Sequence, residues 1–131
     1  MISQDELAAR LRDMDELDQY DYLLDAAFAQ TCPDIRQPEH QIKGCVSGLW
    51  VQVRLNNGRI EACADSDSLV IRGIAALICR IYSGMSPEEA QRTPITFLDG
   101  LDLAGELDDT RRSGLQRMIE IIQSINGGNN V

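Results

Sequence analysis

With 131 residues, 44% of them apolar, the chain has the length of one domain and enough apolar content for one core. Its 21 acidic residues against 12 basic ones leave a net charge of −9. That field repels nucleic acid and anionic membrane, because phosphate binding draws on Lys and Arg, and it suits a basic patch on a protein partner. No apolar run reaches the roughly 18 residues of a membrane span, and the first six residues carry neither a basic region nor an apolar signal core. The chain therefore reads as one cytoplasmic domain, 1–131.

Ser3-x-x-Glu6 is a capping-box pattern, and Leu7, Leu11 and Met14 follow it on one helical face. A second helix is expected from about Asp15 to Gln30, with Leu17, Tyr20, Leu24, Ala27 and Phe28 as its apolar face. Tyr20 and Tyr22 read as core and rim packing. Pro33 and Pro38 mark a loop, and His40 to Lys43 a short strand. Gly48 to Leu55 alternates as a strand, Asn56-Asn57-Gly58 is a hairpin turn, and Arg59 to Ala64 returns. Asp65-Ser66-Asp67-Ser68 supplies helix-start acceptors and negative charge for a helix from about Asp67 to Tyr82. That helix is apolar almost all round and so belongs at the centre. Gly73 inside it implies close approach of another backbone, with the loop around Cys45 as the candidate. Ser86-Pro87-Glu88-Glu89 opens a short helix. Ile95 to Leu103 reads as a short helix and turn. Asp108-Asp109-Thr110 caps a last helix with Leu115, Met118, Ile119, Ile122 and Ile125 inside, and residues 127–131 form a frayed tail.

Four cysteines are present, Cys32, Cys45, Cys63 and Cys79. A chain this well cored needs no staples, and a reducing compartment would keep its thiols free. Cys32 reads as incidental, Cys63 as a packing residue and Cys79 as inert core. Cys45 differs. It lies in Lys43-Gly44-Cys45-Val46-Ser47-Gly48-Leu49-Trp50, between two glycines and ahead of the clearest strand. Gly44 and Gly48 allow a tight or swinging loop, and Lys43 favours the nucleophilic thiolate. A small core hydrophobe and a thiol held out for chemistry both remain open on spacing alone.

A zinc or iron–sulfur site needs three or four converging ligands, and the cysteines fall in different predicted elements. A cysteine protease needs a histidine beside the thiol, whereas His40, the single histidine, flanks a strand end. There is no phosphate-binding glycine loop. Lys43 is the single lysine, in a chain too small to enclose pyridoxal phosphate. Thiol-to-thiol transfer remains: one accessible thiolate, a mobile loop and a partner supplying the other sulfur.

Gly44-Cys45-x-Ser47-x-x-Trp50 resembles the G-C-x-S-x-x-W signature of the SufE family of sulfur acceptors, which includes the CsdE branch. Asp65-Ser66-Asp67 followed by Ile71-Arg72-Gly73, Tyr82 to Glu89, and Arg111 to Leu115 resemble three further segments of that family in the same order. The resemblance covers roughly Leu17 to Ile122. It departs at Gln19, where an arginine is common, and at Glu106, where relatives often carry histidine. The resemblance implies an α+β fold, a small antiparallel sheet of about three strands packed against several helices, SufE/NifU-like. It implies that Cys45 accepts persulfide sulfur from a pyridoxal-phosphate cysteine desulfurase (SufS/CsdA-like), stimulates that enzyme, and passes the sulfur to an iron–sulfur scaffold (SufBCD-like). Under it the chain is a co-substrate and activator that holds no cofactor or metal of its own. Gly44, Ser47, Trp50, Asp65, Asp67 and Arg111 match loop or partner-facing positions. For the aspartates helix capping is the competing reading, and for Arg111 an ordinary surface salt bridge. An iron–sulfur or metal-binding module without sulfur relay is the alternative function.

Overall fold

The structure, a computed structural model, describes residues 3–30, 32, 34–44, 48–101 and 107–125. Helices α1 (Gln4–Arg12) and α2 (Glu16–Ala29) lead into a 3-10 turn (Pro38–His40). An antiparallel hairpin follows, β1 (Leu49–Asn56) and β2 (Arg59–Ser66). Then come α3 (Leu69–Tyr82), α4 (Pro87–Gln91), a second 3-10 turn (Phe97–Gly100) and α5 (Asp109–Gln123).

The mixed α+β architecture matches the sequence, with a smaller sheet than expected. Among the described residues it has two strands, and the anticipated strand at His40 to Lys43 shrinks to one bridge, Gln41 to Trp50. The 3-10 turn that Pro38 starts runs through His40, and a turn occupies Lys43–Gly44. Too little extended chain is left between them for a ladder. Asn57 and Gly58 turn the hairpin with φ of 54° and 76°, the left-handed pair a type I′ turn requires.

Period two divides the hairpin. Leu49, Val51 and Val53 on β1 and Ile60, Ala62 and Ala64 on β2 are buried, and β2 packs on α3. The outer face pairs half-buried Trp50 with Asp65 and Gln52 with Cys63, and exposed Arg54 with Glu61.

α3 is central. Val70, Ile71 and every residue from Gly73 to Tyr82 except Arg80 are buried. Its N-cap is Ser68, whose Oγ accepts from Ile71 N at 3.3 Å, so Asp65 and Asp67 are not its caps. A Cβ on Gly73 would run into the Leu23 carbonyl. The close approach is therefore made by the backbone of α2 at Leu23. Buried Tyr82 donates its hydroxyl to Thr93 O at 2.7 Å, and burial pushes its pKa up to about 12.

Two other expectations fail locally. Ser3 is the N-cap of α1 but its side chain makes no cap hydrogen bond. On α2 the buried residues are Gln19, Leu23, Ala26 and Ala27, while Leu17, Phe28 and Tyr20 are exposed. The helix is rotated from the expected face because Gly73 admits its backbone along the Leu23 line, and Gln19 enters the core by donating to Leu11 O at 2.8 Å. The capping box at Ser86 and Glu89 forms as expected.

Candidate functional site

Cys45, Val46 and Ser47 lie outside the described residues, as does Glu106. What the structure does describe is how both ends of that short segment are held. On the N-terminal side the chain turns at Lys43–Gly44, and Gly44 has φ of +84°, a left-handed conformation that favours glycine. Arg117 of α5 donates to the Lys43 carbonyl, and a Cβ on Gly44 would collide with that guanidinium.

Gly48 anchors the C-terminal side. Its N–H donates to Asp67 Oδ2 at 3.2 Å, and its carbonyl accepts from Ser66 Oγ at 2.6 Å and from Asp67 N at 3.2 Å. Gly48 is required for space: a Cβ would stand 2.5 Å from both Asp67 Oδ2 and the Trp50 ring, closer than real contacts come.

Behind this anchor lies a charged clamp. Arg36 Nε donates to Asp65 Oδ2 at 2.7 Å, and Nη1 donates to Asp67 Oδ1 at 3.0 Å. Nη2 reaches Ser66 O at 3.3 Å. The guanidinium lies 4.8 Å from the Trp50 ring centroid, a cation–π distance. Arg72 adds a second cation to Asp65 at 3.6 Å. Burial alone would raise the Asp65 carboxyl. The Arg36 hydrogen bond, the Ser66 N–H and the charges of Arg36 and Arg72 outweigh it and hold the group below its ordinary value. Asp65 and Asp67 thus sit together beside the loop, as partners of Arg36.

Arg111 stands elsewhere. It lies in the first turn of α5, where Asp108 caps Arg111 N at 2.9 Å and pairs with its guanidinium at 2.8 Å. Arg117, which donates to the Lys43 carbonyl, lies further along the same helix. The sequence reading missed Arg36 and Arg117. Arg36 sits in a proline-flanked loop with no pattern around it, and Arg117 falls among ordinary exposed positions of an amphipathic helix.

The cysteines also depart from expectation. Cys32 and Cys63 form a disulfide, 5.9 Å between Cα atoms, within bridging range. Cys63 alternates with buried Ala62 and Ala64, so its side chain leaves the core face, and the loop after α2 crosses that outer face. Cys79 is fully buried, and burial pushes its thiol up to about 12, in keeping with inert core. Among the described residues no group of three or more His, Cys, Asp and Glu side chains could hold a metal ion. No helix among them is long and apolar enough to cross a membrane.

Comparison with known proteins places this arrangement. A family model described as SufE, Fe-S metabolism associated domain, matches residues 5–126. A solved structure, the solution structure of a hypothetical protein from Thermus thermophilus, superposes with a TM-score of 0.73. Its sequence is 18% identical, and the match covers 92% of this chain and 90% of that one. At that identity the likeness is one of fold.

Proposed function

Because the chain belongs to the SufE family, the Fe-S metabolism associated domain, we propose that it accepts sulfur on Cys45 from a pyridoxal-phosphate cysteine desulfurase and delivers it to an iron–sulfur scaffold. The Cys45 thiolate attacks the outer sulfur of the desulfurase cysteine persulfide. The S–S bond of that persulfide breaks, the desulfurase cysteine leaves as thiolate, and Cys45 carries the persulfide. The exchange consumes no oxidant or reductant. Removing the persulfide frees the desulfurase for its next turnover, which is how stimulation arises.

The observation that carries this reading is the fixing of both ends of the 45–47 segment. Arg117 holds Lys43, and Asp67 with Ser66 holds Gly48. A short segment between two fixed ends can present a thiol to a partner without disturbing the core. The net charge of −9 suits a basic docking surface on the desulfurase, and the cytoplasm is the compartment where such a partner and a reduced Cys45 would meet.

Desulfurase turnover with and without this protein tests the proposal. The wild-type chain stimulates turnover and Cys45→Ser does not, while Cys79→Ala retains stimulation. Full stimulation by a folded Cys45→Ser protein contradicts it.

A further inference from the structure

Cys32 and Cys63 join the loop after α2 to the outer face of β2. Both positions are partly exposed, in contrast to buried Cys79. The core beneath is continuous across α1, α2, the hairpin, α3 and α5, and the bridge lies outside it. The disulfide therefore adds little that the apolar core does not already supply to the fold as a whole. Its local effect is specific. Four residues beyond Cys32 stands Arg36, and two residues beyond Cys63 stands Asp65, at 2.7 Å from it. The bridge and the Arg36 clamp are successive fastenings of one strap across Gln52, Cys63, Trp50 and Asp65.

We propose that Cys32–Cys63 is a thiol–disulfide exchange site, opened by a dithiol reductant, and that its opening loosens Arg36 from Trp50, Asp65 and Asp67. One reductant thiolate attacks a bridge sulfur, the S–S bond breaks and the other cysteine leaves as thiolate. The second reductant thiol then resolves the mixed disulfide. Two electrons pass to the protein, the reductant ends as a disulfide, and Cys32 and Cys63 end as thiols. Partial exposure of both cysteines leaves the bridge open to approach by a reductant. With the bridge open, Ile35, 3% exposed, is left as the apolar anchor of the strap. Asp67, shared between Arg36 and Gly48 N–H, then loses its cation. The consequence for Cys45 rests on the sulfur-acceptor reading; the exchange site does not.

The test uses the full-length Cys45→Ser protein purified without reductant, titrated with dithiothreitol and pulsed with iodoacetamide. Trp50, the single tryptophan, is followed by fluorescence. Cys32 and Cys63 become alkylated together, Trp50 emission shifts to the red with the same midpoint as its cation is withdrawn, and the cooperative thermal transition remains. Cys32→Ser and Cys63→Ser each show the shifted emission from the start and no response to dithiothreitol. The wild-type protein, reduced and alkylated, gives the same emission without any substitution at the bridge. Three results overturn the proposal: alkylation of both cysteines before reductant is added, resistance to dithiothreitol until the protein unfolds, or reduction that leaves Trp50 emission unchanged. None of these readouts involves a desulfurase, so their failure is distinct from failure of sulfur acceptance.

Discussion

The two faces of the hairpin differ in what determines them. The inner face, Val51 opposite Ala64 and Val53 opposite Ala62, is apolar, buried and packed against α3. The other face carries Trp50, Gln52, Cys63 and Asp65, and its partners Arg36 and Cys32 arrive from a loop some thirty residues away. The inner face is held by the area it removes from water, and the outer face by a few directed contacts. Losing a core side chain therefore costs stability everywhere, while losing an outer contact changes how Asp67 and Gly48 are held and leaves the core in place.

The sharpest way to test this division is a core truncation. Ile74→Ala on α3 should destabilise the protein by about 2–5 kcal/mol, read as a lower denaturation midpoint, because it leaves a cavity where repacking is restricted. An effect as small as that of an outer-face substitution would break the comparison. Gly48→Ala should come next, at about 1–3 kcal/mol, since the added methyl group must displace Asp67 or the Trp50 ring. Its loss of desulfurase stimulation should exceed what that destabilisation explains.

Arg36→Gln should cost on the order of 1 kcal/mol, because the guanidinium is half exposed and its pairs are screened. Here too stimulation should fall more than stability. The smallest effect is an acid one. The Asp65 carboxyl titrates below its ordinary value, so its contribution is complete above the unfolded-state pKa of about 3.9 and is lost as pH falls through the folded value. Trp50 emission should stay constant from neutral pH down to the usual aspartate range and change below it. Asp65→Asn should remove that step. A transition near neutrality instead would dissociate Trp50 from the Asp65–Arg36 clamp.

These faces were not equally legible. Alternation in Gly48 to Leu55 and the Asn56-Asn57-Gly58 turn located the hairpin, because both signals are local. The almost all-round apolar run expected from about Asp67 to Tyr82 located the central helix for the same reason, two residues early at its start. On α2 the periodicity of Leu17, Tyr20, Leu24, Ala27 and Phe28 held at Ala27 and failed at Leu17, Tyr20 and Phe28, which are exposed. A single long-range fact, the fit of Leu23 against Gly73, outweighed the local pattern. The resemblance grouped Gly44, Ser47, Trp50, Asp65, Asp67 and Arg111; of these Ser47 lies outside the described residues and Arg111 pairs with Asp108 instead, and nothing local to Arg36 or Cys32 announces their partners. The Cys32–Cys63 pairing ran against the expectation of free thiols, since a bridge is set by three-dimensional proximity and not by cysteine count.

The central claim is that Cys45 receives sulfur. The most direct measurement is mass spectrometry of this protein after incubation with a pyridoxal-phosphate cysteine desulfurase and cysteine, followed by alkylation and peptide mapping. The account predicts a peptide containing Cys45 that is one sulfur atom heavier, with the extra mass removed by reductant. Sulfur found on Cys32, Cys63 or Cys79 with Cys45 unmodified would contradict it.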